Sequence, residues 1–290
     1  MDARIEKLCN KVTNTPGSVG GIVSDIDGTV KGDAENRDVW GMNLKPGAIE
    51  CYEDAIRKGH GIIPNTARDA LDVLENRLGQ LDDVLVFGCT GAQIGKDGVV
   101  KDLIPRPDFG QYLAGLHKDF GYQLNIRFRN MGHRAGAQFH PHENAATGEI
   151  LEAMQRRTGL IADERYRDVQ VVKEGIYTGG EASVYPGKLK AYLDLLAFLN
   201  QRDINVAAHL ICGDTSSDIE MLEWAGRHEN GCAIWSGDPD KRPQGEHVYV
   251  VKDEAAVVTA QKKFVSGLPD REDVGLGKAI NAYFEQIVSQ

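Results

Sequence analysis

Asp25-Ile26-Asp27-Gly28-Thr29-Val30 directly follows the apolar run Gly20-Gly21-Ile22-Val23-Ser24, and the two stretches together decide the fold. A short apolar run bounded by a glycine turn reads as a buried strand. Here it delivers two carboxylates at its C-terminal end. Successive strand residues point to opposite sides, so Asp25 and Asp27 reach into one cleft. Gly28 lets the chain leave the strand sharply. As a calcium-binding loop the stretch fails, because its glycine comes two positions early. As a plain Asp-Gly turn it is acceptable taken alone, so its meaning rests on the rest of the chain.

Outward from this point the pattern alternates. Residues 1–12 predict a short polar helix, closed by Pro16-Gly17. After Asp25 a periodic helix is expected over 47–58, with Ile49, Tyr52 and Ile56 on one face. A strand over 60–64, a helix over 67–78 and a third strand over 84–88 follow. Strands and helices in this rhythm predict βαβ units and a parallel sheet. The texture then changes, with glycines, paired histidines and the alternating run at 122–128. Antiparallel or mixed strands are expected there, with a helix over 148–157. The βαβ rhythm resumes as a helix over 188–199, a strand over 205–212, a helix over 217–225, and strands over 231–235 and 247–251. An amphipathic helix over 275–288 turns Ile280, Tyr283, Phe284 and Ile287 inward. The expected fold is therefore α/β: a Rossmann-like parallel-sheet core over 1–92 and 186–290. An α/β segment over 93–185, about the size of one compact module, is inserted into it.

A second pair of acids stands at another strand end, in Cys212-Gly213-Asp214-Thr215-Ser216-Ser217-Asp218. Helix capping accounts for one acid there, since Asp and Ser both serve as N-caps. It does not account for Asp214 lying, like Asp25, at the end of a core strand. Two such acids on one sheet edge repel unless a proton or cation lies between them, and Mg²⁺ with its oxygen ligands suits the place. Thr66 ends the second strand and either donates its hydroxyl to a phosphate or caps a helix. Lys188 opens a helix, where a cation opposes the dipole. It is either solvated or partnered in the cleft.

In order along the chain, DIDGT, Thr66, Lys188 and GDTSSD resemble the four motifs of the haloacid dehalogenase superfamily of phosphatases, over essentially the whole length. Thr66-x-Arg68, Thr90-Gly91-Ala92, Asp273-Val274-Gly275 and Lys278-Ala279-Ile280 resemble its sugar-phosphatase branch, whose members carry an α/β cap between the second and third motifs. The branch commonly has Asn-Gly-Ala where this chain has Thr90-Gly91-Ala92, and Asn where it has Ser217. Trp235-Ser236-Gly237-Asp238 replaces the usual small-residue loop.

The resemblance implies a Mg²⁺-dependent phosphomonoester hydrolase with Asp25 as nucleophile and Asp27 as general acid and base. It implies Mg²⁺ held by Asp25, Asp214 and the Asp27 carbonyl, with Thr66 and Lys188 binding phosphoryl oxygens. Asp218 would orient Lys188 or a water on the metal. Arg68, Thr90 and Gly91 are further candidates for substrate contact. In the inserted segment the candidates are Arg127, Arg129, His133, Arg134, His140, His142 and Glu181. Those three histidines read alternatively as a zinc set, although His140 and His142 would share one strand face without closing a tetrahedron. A phosphosugar mutase of the same branch and a non-catalytic metabolite-binding module are the competing readings.

Composition agrees with a soluble globular protein. Hydrophobic residues at 41% suffice for a core, and a net charge of −10 opposes nucleic acid and anionic membranes as partners. The expected partner is a small phosphorylated molecule, and the expected state a monomer or small homo-oligomer. Five dispersed cysteines without a CxxC pair predict a reducing, cytoplasmic setting. The N-terminus has no signal-peptide pattern and no apolar run reaches a membrane span.

Overall fold

A computed structural model of the chain describes residues 1–31, 43–121, 126–130, 132–138, 147–163, 169–174, 179–184 and 187–290. Two compact units emerge, Met1–Lys101 with Gly187–Gln290, and Asp102–Pro186. The first unit begins with α1 (Asp2–Asn14), β1 (Ser18–Ser24), α2 (Ala48–Arg57) and β2 (Gly61–Pro64). Then come α3 (Ala70–Leu74), β3 (Val86–Gly88), β4 (Gln93–Lys96) and β5 (Val99–Asp102). The second unit holds α4 (Gly110–Phe120), β6 (Arg127–Asn130), β7 (Arg134–Gln138), α5 (Thr147–Arg156), β8 (Val169–Glu174) and β9 (Gly179–Val184). The chain returns to the first unit through α6 (Lys188–Asn200), β10 (Asn205–Gly213), α7 (Ile219–Arg227) and β11 (Gly231–Trp235). It ends with β12 (Val248–Val250), α8 (Glu254–Gly267) and α9 (Leu276–Val288).

Five strands of the first unit pair in the order β12-β11-β10-β1-β2, and every pairing is parallel. β1 is buried along its whole length, as expected for a strand covered on both faces. On one face Ile5, Leu8 and Val12 of α1 join Tyr52 of α2 and Val257, Phe264 and Val265 of α8. Each large side chain fully buried in this way contributes about 1.5–3 kcal/mol relative to exposure. α1 is thus amphipathic rather than merely polar. Its Arg4 is buried, and its guanidinium donates to the carbonyls of His228 (2.9 Å) and Gly231 (2.8 Å), just beyond α7.

The order of strands matters for function. β2 lies on one side of β1 and β10 on the other, so β1 and β10 flank the point where the winding of the sheet reverses. Ligands of open α/β sheets bind in the crevice at such a point, beyond the carboxyl ends of the strands.

Several expectations need correction. The helix expected over 67–78 is only α3, followed by a 3-10 turn at Arg77–Gln80. Asp69 caps it by accepting from the Leu71 N–H, and the Asn76 side chain binds the Asp72 carbonyl where it ends. β3 meets the parallel sheet only through one isolated parallel bridge, Asn65 to Phe87, just beyond β2, and its ladder is an antiparallel one with β4. β4 pairs with β3 and β5 with β4, so residues 93–101, placed in the insertion from sequence, lie in the first unit. The helix expected over 217–225 starts as a 3-10 turn, Ser216–Asp218, before α7. α4 and α8 were not anticipated.

In the second unit, strands in the order β6-β7-β9-β8 form an antiparallel sheet. Phe109, Tyr112, Leu116, Ile150 and Met154 from the α4 and α5 region pack with Ala135 and Ala137 of β7. Of the strand expected over 122–128, residues 122–125 lie outside the described residues. Among the described residues no helix is long and apolar enough to cross a membrane.

Candidate active site

β1 and β10 run side by side with Ser24 opposite Cys212, so Asp25 and Asp214 emerge at the same edge of the sheet. The Asp25 N–H extends the ladder by donating to the Cys212 carbonyl at 3.0 Å. Its carboxylate is buried, and Oδ1 lies 3.1 Å from the Lys188 ammonium, within ion-pair range but not aligned as a hydrogen bond. The same ammonium is 2.6 Å from Asp218 Oδ1. Lys188 has 0% side-chain exposure, which rules out the solvated alternative. Gly187 caps α6 with φ 97, and Lys188 is the first helical residue. A cation there works against the helix dipole, and the two carboxylates offset it.

Asp218 has a second task. Its Oδ2 accepts from the Asp214 N–H (3.2 Å), the Thr215 N–H (3.0 Å) and the Thr215 hydroxyl (3.0 Å), closing a capping box. Helix capping and ion pairing are thus both true of this residue. Asp214 is half-buried, and its Oδ1 accepts from the Thr29 hydroxyl at 3.0 Å. The loops fit closely around it. Gly28, at φ +67, would place an added Cβ 2.0 Å from Asp214 Oδ2, and Gly237 would place one 2.0 Å from the Asp214 carbonyl. The segment Trp235–Asp238 is therefore a wall of the site. Its Ser236 hydroxyl donates to the Gly28 carbonyl at 3.0 Å.

Oxygens of Asp25, Asp214 and Asp218 lie within 4.8 Å of one another. Three carboxylates around one ammonium carry a surplus of negative charge. Burial first, then the charges of Asp218 and Asp27 against the pull of Lys188, push the Asp25 carboxyl above its ordinary range. Asp214 is pushed up likewise by burial and by Asp25 and Asp218. For Lys188, burial works against the charged form, but Asp218 and Asp25 outweigh it and hold the ammonium protonated. A divalent cation with oxygen ligands would relieve this surplus directly, and the buried Asp25 Oδ1, ion-paired with Lys188 but without a hydrogen-bond partner, keeps lone pairs for it.

Asp27 is differently placed. Its carboxylate is gripped by Arg68 through Nε (2.5 Å) and Nη2 (2.7 Å), and by Lys31 at 3.0 Å. Burial opposes ionisation, but the bonds to Arg68 and Lys31 prevail and hold it below the usual carboxylate range. Thr66 is buried, and its Oγ1 accepts from the Arg68 N–H at 3.2 Å, leaving the hydroxyl proton for a ligand. It caps no helix, since Asp69 does so for α3.

Thr90 and Gly91 lie beside Thr66, with the Thr90 N–H donating to the Thr66 carbonyl at 2.9 Å. Cys89, Thr90 and Gly91 have φ of 47, 56 and 84 in succession. The two non-glycine residues store about 1–3 kcal/mol of strain each, a burden met most often at functional sites.

Asp25, Asp27, Thr66, Arg68, Thr90, Gly91, Lys188, Asp214 and Asp218 all belong to the first unit. The candidates of the second unit are scattered over its sheet. Arg127 and Arg129 are in β6, Arg134 in β7 and Glu181 in β9, with Glu181 opposite Gly136. The side chains of Arg127, Arg129 and Glu181 lie outside the described residues, as do His140 and His142 altogether. His133 is buried, with Nε2 3.0 Å from Asp102 Oδ1. Lys31, Thr29 and Ser236 were missed from sequence. The i+4 spacing of Asp27 and Lys31 was the available hint for the first.

No protein-family model matches the sequence, and comparison with curated proteins gives no match. Solved structures do match. The trehalose-6-phosphate phosphatase of Aspergillus fumigatus superposes with a TM-score of 0.60 at 12% identity, covering 92% of this chain and 97% of its own. The C-terminal domain of the C. albicans trehalose-6-phosphate phosphatase gives 0.65 at 12% identity, over 90% and 96%. A haloacid dehalogenase-like hydrolase from Bacteroides thetaiotaomicron gives 0.59 at 12% identity, over 84% and 99%. At such identities the likeness is one of architecture, and the fold of this chain is that of the haloacid dehalogenase-like hydrolases.

Proposed function

We propose that the chain is a Mg²⁺-dependent phosphomonoester hydrolase that acts on a phosphorylated sugar or related small metabolite through an aspartyl-phosphate on Asp25. One observation carries the reading: Lys188 is buried between Asp25 and Asp218, with Asp214 alongside, at the ends of two adjacent parallel strands. This is a charge pattern completed by a dication and a phosphate dianion. The phosphatases among the solved structures of the same fold support it.

Asp25 and Asp214 would hold Mg²⁺ together with the Asp27 carbonyl. Bound there, the ion would screen nucleophile from phosphate and stabilise charge on the transferring group. Asp25 forms the new P–O bond as the bond to the leaving oxygen breaks, dividing one hard displacement into two easier ones. Lys188 and the Thr66 hydroxyl donate to phosphoryl oxygens, each such donor being worth about 2.7–4 kcal/mol in the barrier. Asp218 holds Lys188 in place.

Asp27 protonates the leaving oxygen and later takes a proton from the attacking water. In its grip by Arg68 and Lys31 it is ionised, which suits the base. The acid role requires it to take up a proton and leave both cations. Five buried free thiols fit a reducing, cytoplasmic setting, and a monomer or small homo-oligomer is proposed.

The test is phosphate release from p-nitrophenyl phosphate and a panel of sugar phosphates, trehalose 6-phosphate included. Release that needs MgCl2 and falls at least a hundredfold in Asp25→Asn is expected. No release from any ester would refute the reading, and positional isomers formed without free phosphate would favour a mutase.

A further inference from the structure

Behind the nucleophile lies Gln261, fully buried in α8 and far in sequence from every acid of the site. Its Oε1 accepts from the Tyr52 hydroxyl at 3.2 Å. Its Nε2 donates to Ser24 Oγ at 3.2 Å and stands 3.6 Å from Cys212 Sγ. Ser24 and Cys212 are register partners, so one amide spans the ends of β1 and β10. Asp25 follows the first, and Asp214 comes two residues after the second. Ser24 passes the contact on, its hydroxyl donating to the Asp25 carbonyl at 2.8 Å. The Asp25 N–H is tied to the Cys212 carbonyl. Both peptide groups flanking Asp25 are therefore fixed, one by the sheet and the other through Ser24 by Gln261.

A buried amide carries a desolvation cost that an apolar residue of the same size avoids. One turn away on its own helix lie Val257, Val258 and Phe264, buried members of the core that Tyr52 of α2 also joins. A methionine would fill the space. What the amide adds is a link between the two strand ends that bear the acids.

We propose that Gln261 is a positioning residue of the active site, which with Tyr52 and Ser24 holds the Asp25 backbone and the β1–β10 ends so that the carboxylates of Asp25 and Asp214 converge on one cation. The inference rests on the functional reading above. It deepens that reading by naming residues that touch neither cation nor substrate.

The test compares Gln261→Met, Ser24→Ala and Ser24→Thr with the wild-type chain. Direct Mg²⁺ binding is followed by calorimetry, kcat and KM on p-nitrophenyl phosphate, and thermal unfolding. Residues that orient groups at a metal typically change affinity or activity by about 10–100-fold when removed. Gln261→Met and Ser24→Ala should each weaken Mg²⁺ binding and lower kcat by about tenfold or more, with KM changed less than about twofold. Ser24→Thr keeps the hydroxyl and should restore both. If Gln261→Met does not fold, the Ser24 pair makes the same comparison. Wild-type Mg²⁺ affinity and kcat in Gln261→Met or Ser24→Ala, with only a lower melting temperature, would make the amide structural and overturn the inference. A wild-type chain that neither binds Mg²⁺ nor releases phosphate would instead overturn the functional reading, and this inference with it.

Discussion

Replacing Lys188 by Met removes the ammonium from the acid cluster while keeping the length of the side chain. Its Nζ is 2.6 Å from Asp218 and 3.1 Å from Asp25, with side-chain exposures of 0%, 0% and 6% for the three residues. Removing one partner of so buried a group leaves uncompensated charge, at a cost of about 3–5 kcal/mol. The carboxylates can recover part of this by taking up protons, and a dication can recover more by standing in for the lost ammonium. Mg²⁺ should therefore stabilise the variant more than it stabilises the wild type. Single-site binding at a hundredfold excess over Kd adds about 2.7 kcal/mol, well within reach of urea unfolding. The assay is urea denaturation near neutral pH with and without MgCl2, alongside kcat. The variant should lose about 3–5 kcal/mol without metal, recover a visible part with it, and fall about 10²–10³-fold in kcat. A Mg²⁺ increment equal to or below that of the wild type would refute the role of Lys188 as counterion of the cluster. So would metal-free stability within about 1 kcal/mol of wild type, since the buried-pair cost would then be absent.

Three further outcomes follow from the geometry. His60 accepts from the Gly20 N–H and donates to the Pro269 carbonyl, and burial pushes it down to about 4. The unfolded chain binds a proton near pH 6.5, so His60 contributes fully above that pH. About 3 kcal/mol is lost as pH falls from 6.5 toward 4, and His60→Gln should flatten that part of a stability–pH curve. Gly28→Ala meets both a left-handed backbone and the Asp214 carboxylate. It should lose about 1–2 kcal/mol in urea unfolding and bind Mg²⁺ more weakly by calorimetry. Asp27→Asn should slow hydrolysis of alkyl phosphates far more than that of p-nitrophenyl phosphate, whose leaving group needs no proton; equal losses would deny Asp27 the acid role.

The acids at strand ends were legible because strand, turn and charge coincide within a few residues, as in Gly20 to Gly28 and Asn205 to Asp214. Lys188 was legible through a conflict, a cation opening a helix, which its two carboxylates now explain. Arg68 reads from sequence as a candidate substrate contact, and the grip of its guanidinium on Asp27, 41 residues away, is a pairing that no local pattern announces. α8 escaped notice because Val257, Val258 and Thr259 are β-branched and weaken its helical signature. Only Asp253, which accepts from the Ala256 N–H at 2.9 Å, marked its start. Gln261 was hidden with it. α3 was overextended because Asp69, not Thr66, caps it. β3 keeps one parallel bridge to the chain beyond β2, and its antiparallel ladder with β4 is not legible because an apolar run of its length carries no information about its partner.

The central claim is that Asp25 carries the phosphoryl group. It is tested most directly by quenching the reaction with p-nitrophenyl phosphate and Mg²⁺ in acid within the first turnovers and mapping the modified peptide by mass spectrometry. A single phosphoryl group on Asp25, absent in Asp25→Asn and without MgCl2, is the predicted result. Steady turnover by Asp25→Asn, or a phosphoryl group trapped on any other residue, would contradict it.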